Sequence, residues 1–181
     1  MKTRMTSLFY KSKISFIAIT LFLILLPRIS FGQTYGTASH NVTVIVNAIT
    51  VISVTPTTVP TLTIPGGATA VVTAGVDQMT VTDNTTVLKW GTNQTLRKIT
   101  IYTSLASPLY TLQVLATNIV ATPGTAGLAA GQFTISTLAQ DLITNLAQSS
   151  GHCTLVYTGV ALASKGIGTD SHTLTLTITA Q

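Results

Sequence analysis

The sequence predicts an all-β fold, a sandwich of two antiparallel sheets with about seven to ten short strands. Three observations carry this. Threonine alternates with aliphatic residues, most plainly in the run from His172 to Ala180, HTLTLTITA, which is the period of a half-buried strand. Turn-forming clusters break these runs at short intervals: Pro65-Gly66-Gly67, Asp83-Asn84, Gly91-Thr92-Asn93, Ser107-Pro108 and residues 166–170. Only one segment has helical spacing. Strands at this density with no helices between them give an immunoglobulin-like arrangement rather than a parallel sheet.

The elements follow in order. Residues 42–46 open the strand pattern, with Val42, Val44 and Val46 on one face. The alternation slips at Asn47-Ala48 and resumes over 49–54, so a long first strand either bulges or passes between sheets. Pro56 and Pro60 then punctuate it. Further strands are expected at 61–64, 68–73, 78–82, 86–90, 98–103, 109–116, 132–136, 154–163 and 173–180. Residues 121–131, rich in Gly and Ala, read as a mobile loop. In 137–146, Leu138, Leu142, Ile143 and Leu146 fall at helical spacing, and Thr137 with Gln140 matches a capping box. One short helix is therefore predicted there.

The N-terminus reads as an export signal. Lys2, Arg4, Lys11 and Lys13 precede an apolar run of 13 residues, ISFIAITLFLILL, and Ser30-Phe31-Gly32 supplies small residues before Gln33. That order is a secretory signal peptide over 1–32, with an apolar run too short for the roughly 20 residues of a membrane span. Residues 33–181 then form a single domain, 33–41 being a flexible segment at its start, exported to the medium or the cell surface with the periplasm as alternative.

Cleavage also changes the charge. Five of the nine basic residues lie before Gln33, whereas all four acids, Asp77, Asp83, Asp141 and Asp170, lie after it. The remaining Lys89, Arg97, Lys98 and Lys165 balance them. The basicity of the whole chain thus argues for neither nucleic acid nor membrane as a partner.

Little in the sequence carries chemistry. There is no glutamate, and the lone Cys153 excludes an internal disulfide. Asp170-Ser171-His172 has the residue types of a hydrolase triad, but consecutive residues in extended chain point to alternate sides. His40, His152 and His172 show no metal-ligand spacing, and Pro65-Gly66-Gly67 lacks the lysine of a phosphate loop. The reading is a protein with no catalytic residues, no metal and no cofactor. Aromatics aligned on one sheet face offer the alternative: Trp90, Tyr102 and Tyr110 stacking on glycans in a carbohydrate-binding or adhesive module.

The export signal, the Thr/Val-rich stretch around Val42–Val46 and the closing GTDSHTLTLTITA together resemble bacterial secreted pilin-like sandwiches, nearest the spore-coat-U type of fimbrial subunit. The likeness lies at the two ends of the exported chain; that group usually carries a cysteine pair where this chain has one cysteine. The resemblance implies that residues 37–48 serve as a donor strand completing a neighbour's sandwich, with Val42, Val44 and Val46 filling its groove. The same residues read equally well as the domain's own first strand. The expected function is a secreted structural protein, a pilin-like or coat subunit, whose partners are copies of itself or other surface proteins.

Overall fold

The computed structural model describes residues 38–181; the export signal expected over 1–32 lies outside them. Residues 45–181 form one compact unit, and residues 38–44 belong to a separate one. No helix among the described residues is long and apolar enough to cross a membrane.

Two antiparallel sheets make up the larger unit. The first contains β1 (Thr50–Thr55), β2 (Gln78–Thr92), β8 (Ser149–Leu162), β4 (Thr111–Ala121) and β6 (Phe133–Thr134), in that spatial order. The second runs β5 (Leu128–Ala129), β7 (Gln140–Leu146), β3 (Arg97–Thr103) and β9 (Leu174–Ala180). Read as an immunoglobulin-like sandwich, β1-β2-β8-β4 corresponds to strands A, B, E and D, and β3-β9 to C and F. Between the sheets pack Leu88, Trp90, Ile99, Ile101, Val114, Leu142, Ile143, Leu146, Leu155 and Tyr157, each at most 4% exposed. Threonine occupies mainly exposed or half-buried strand positions, where its β-branch favours the strand and its hydroxyl reaches water, whereas Thr86, Thr92, Thr100 and Thr103 are buried.

Bulges re-phase three of the strands. In β2 the register shifts between Asp83 and Thr86, so the inward set passes from Val81 to Thr86, Leu88 and Trp90. The turn expected at Asp83-Asn84 is this bulge, and the strands expected at 78–82 and 86–90 are one strand. In β4 the shift lies between Thr117 and Val120, with Asn118 at φ 52°. Asparagine tolerates that left-handed conformation better than most side chains.

The expected helix over 137–146 is not formed; the segment is β7. Against β3 its register shifts twice, once between Ile99 and Thr100 and once between Arg97 and Ile99, and Asn145 sits at φ 58°. These bulges bring Leu142, Ile143 and Leu146 all inward, a spacing that imitates a helical stripe. Leu138 is exposed instead. The expected capping box is absent too: the Gln140 side-chain carbonyl accepts from the Ser136 N–H at 3.0 Å.

Three other expectations change. Residues 61–64 and 68–73 form no strands; they belong to a long strap between β1 and β2 that bonds the sheet at the Val71–Thr80 bridge and at Thr69. The loop expected over 121–131 contains β5, paired to β7 at Leu128 and Ala129. Residues 42–46 also form no strand.

Gly151 lies directly opposite Trp90 on β8. A Cβ there would collide with the indole ring and with the Val120 carbonyl oxygen, so the packed core requires glycine at this point. Gly151→Ala is therefore expected to lower stability by roughly 2–3 kcal/mol, read as a lower urea midpoint at unchanged m-value; an unchanged midpoint would contradict this packing.

Candidate assembly site

Backbone groups along a sheet edge must find partners or be shielded from other chains. On one side of this sandwich they are shielded. The edge strands β5 and β6 have two residues each, too short to template another chain. On the opposite side, the part of β2 beyond the reach of β1 is covered as well, by the strap carrying Pro56, Pro60 and Pro65. Val71 and Thr80 exchange backbone bonds of 2.7 and 3.1 Å there, and Thr69 bonds the backbone of Thr82.

The side where β1 and β9 meet is different. Among the described residues β1 pairs only with β2 and β9 only with β3. The two edges come within 8 Å at their Cα atoms without a ladder bond between them. β9 pairs with β3 through seven consecutive residues with no register shift. It contains no charge, proline or bulge, the features that ordinarily blunt an edge. Its core-facing Leu174, Leu176 and Ile178 are only half-buried, as are Ile52 and Val54 on β1. Their partners in β3, Ile99 and Ile101, are fully enclosed. A depression of about 170 Å³ lies over the paired strands β1 and β2, lined by Val51, Ile52, Ser53, Lys89 and Trp90. The core is thus incompletely covered along this opening.

The segment leading into β1 is exposed and unpaired in the ladder sense. Val42, Val44 and Val46 are 73%, 80% and 69% exposed and lie in no strand. Beyond them Asn93 holds the chain. Its backbone N–H donates to the Ile49 carbonyl at 3.3 Å, its side-chain oxygen accepts from the Ile49 N–H at 2.7 Å, and its amide nitrogen donates to the Asn47 carbonyl at 2.8 Å. This side chain extends the β1–β2 ladder beyond the last strand pair. Nothing in the sequence marked Asn93 for this role except its place in the turn after β2.

The other candidate residues do not converge. Trp90 is 3% exposed and its indole N–H donates to the Ser149 hydroxyl at 3.3 Å, so it presents no ring face to a sugar. Tyr102 and Tyr110 are half-buried. The Tyr110 hydroxyl donates to the Gly166 carbonyl at 2.9 Å. Asp170 accepts from the Tyr110 N–H at 2.7 Å, while His172 meets the Thr103 hydroxyl at 3.2 Å; two members of the apparent triad brace separate parts of one loop. Among the described residues no three His, Cys, Asp or Glu side chains gather as metal ligands. Burial pushes the Cys153 thiol up to about 12, which keeps it protonated and unreactive. Burial is also the main reason that Tyr157 is pushed up to about 12. The Lys98–Asp141 ion pair at 2.8 Å is solvent-accessible and contributes at most about 1 kcal/mol.

Comparison with protein-family models, with curated proteins and with solved structures gives no match to this chain.

His172 just precedes β9, and burial lowers its pKa from the ordinary 6.5, against an opposing pull from Asp170. The unfolded chain then binds the proton more readily than the folded one, so stability is full above about pH 6.5 and declines as pH falls below it. His172→Gln is expected to flatten that part of a chemical-denaturation pH profile; an identical slope in both proteins would remove His172 as its source.

Proposed function

We propose that this is a secreted structural protein whose copies assemble by exchanging strands. Residues 42–46 of one copy seat along the opening between β1 and β9 of the next. The observation that carries the reading is the coincidence of two long, ungated edges over an incompletely covered core with an exposed valine-rich segment that belongs to no strand. The resemblance of both chain ends to spore-coat-U type fimbrial subunits points the same way. Val42, Val44 and Val46 would complete the coverage of Ile52, Val54, Leu174, Leu176 and Ile178, and the segment's backbone would satisfy both edges. A third strand needs about 9.6 Å between its neighbours, twice the ladder spacing, so β1 and β9 part slightly to receive it.

Magnitudes indicate how such an interface works. Burying three valines is worth about 1.5–3 kcal/mol each. Ordering five residues costs about 1–2 kcal/mol each in backbone entropy. These terms nearly cancel, which leaves the ladder bonds, at about 0.5–1.5 kcal/mol each, and any prior ordering of the segment to decide the affinity.

Val44→Asp tests the reading without disturbing the subunit, because Val44 is 80% exposed. The variant is expected to fold normally and to lose assembly in size-exclusion chromatography and negative-stain microscopy. A synthetic peptide of residues 38–49, added to this variant at about a hundredfold over its dissociation constant, should raise Tm by roughly 5–10 °C. It should also shift the emission of Trp90, the single tryptophan. Assembly of Val44→Asp at the wild-type level, or a wild type that stays monomeric at high concentration, would overturn the proposal.

A further inference from the structure

We infer that Asn93 commits the valine segment to a second copy of this chain, by fixing the residues that the segment would need to fold back into its own opening. The inference rests on the strand-exchange reading and adds what decides between exchange and self-closure.

The argument is one of phase. For 42–46 to lie beside its own β1 it must reverse direction through a tight turn just before Thr50. A two-residue turn at Asn47-Ala48 pairs Val46 with Ile49, and hence Val44 with Val51 and Val42 with Ser53. Val51 and Ser53 face outward, so this hairpin presents the valines to solvent, the one-residue slip that turns every side chain over. A three-residue turn at Asn47-Ala48-Ile49 pairs Val44 with Ile52 and Val42 with Val54. Those two residues face the core, so this hairpin closes the opening with the correct face.

Asn93 binds this same tripeptide. The Asn47 carbonyl and both backbone groups of Ile49 are engaged by Asn93, which holds 47–49 extended along the end of β2. A turn through these residues requires breaking all three bonds. A turn one position earlier, at Val46-Asn47-Ala48, keeps the same phase but consumes Val46 and still passes through Asn47, whose carbonyl Asn93 holds. With the root held straight, the segment cannot turn back into its own opening, and the acceptor left to it belongs to another molecule. The three bonds also order the root before docking, which lowers the entropy that docking must overcome.

The test places cysteines at Val44 and Ile52, which face each other in the self-closed hairpin at a separation that a disulfide can span. Native Cys153 is buried and fully enclosed. The exported chain with Val44→Cys and Ile52→Cys is oxidised with and without Asn93→Ala, and non-reducing electrophoresis separates intrachain from interchain products. With Asn93 present, crosslinks between chains are expected to dominate. Asn93→Ala is expected to raise the intrachain product at least tenfold. In chains without the added cysteines it is expected to lower assembly comparably, while Trp90 emission reports a folded core. Asn93→Asp keeps the acceptor for the Ile49 N–H but loses the donor to the Asn47 carbonyl. It should give the same direction at smaller size, and it covers an Asn93→Ala chain that does not fold. If Asn93→Ala and Asn93→Asp assemble as wild type does, with no gain in intrachain product, the role of Asn93 is refuted while strand exchange stands. If no crosslinks form between chains that carry the two added cysteines and native Asn93, and Val44→Asp leaves the size distribution unchanged, strand exchange falls with it.

Discussion

The backbone N–H and C=O groups along a β-strand edge must be paired, shielded or hydrated, and this sandwich meets that requirement differently on its two sides. Two-residue strands end both sheets on one side. On the other, a proline-bearing strap covers the lower part of β2, and β1 and β9 continue without any such device. Ile52, Val54, Leu174, Leu176 and Ile178 on β1 and β9 are half-covered, as are Leu112, Ile119 and Ala121 on β4 and Phe133 on β6. Along β1 and β9 the backbone edges and the core are open together, because no strand among the described residues lies between these two edges.

Composition makes the opening consequential. Most soluble β-proteins place lysine or another charge at an exposed edge to discourage pairing. Here the part of the chain after Gly32 has four basic and four acidic residues, and none lies in β1 or β9. Threonine hydrates the outer faces through its hydroxyl without opposing an incoming strand. A chain so composed can stay in solution by its faces and associate by its edges. The scarcity of charge, which first reads as missing catalytic chemistry, becomes physically specific when located on these two strands.

How much of this the sequence discloses depends on bulges. β3, β8 and β9 carry uninterrupted period-two patterns, and all three are visible in the bare sequence to within a few residues. β7 is not, because two bulges bring Leu142, Ile143 and Leu146 to one face at the spacing of a helix. The strap misleads in the opposite direction: its threonines and valines alternate as a strand would, but Pro56, Pro60 and Pro65 deny it a ladder. Val42, Val44 and Val46 are legible as strand-forming residues, though whether a strand forms within one copy depends on what lies beside them. Asn93 is illegible, since its importance comes from two backbone partners more than forty residues away. Its place in the turn after β2 gives no hint of these partners, and the slip in alternation at Asn47-Ala48 falls where Asn93 holds the chain.

Self-closure and exchange also differ in what they build. A segment that returned to its own opening would give a closed monomer, satisfied on both edges. A segment held straight would, under strand exchange, join a donor surface on one copy to a different acceptor surface on the next, a heterologous contact. Such a contact closes into a ring only if the rotation between copies happens to divide a full turn; otherwise it propagates as a filament. The register of the docked segment need not be encoded by a turn, because no turn connects donor to acceptor. It is set by the requirement that alternate valines meet Leu174, Leu176 and Ile178, and a one-residue error would turn every valine outward. Under strand exchange, the side-chain alternation of one segment would set the register and the three hydrogen bonds of Asn93 would direct it to a second copy, while the rotation between copies would decide between ring and filament.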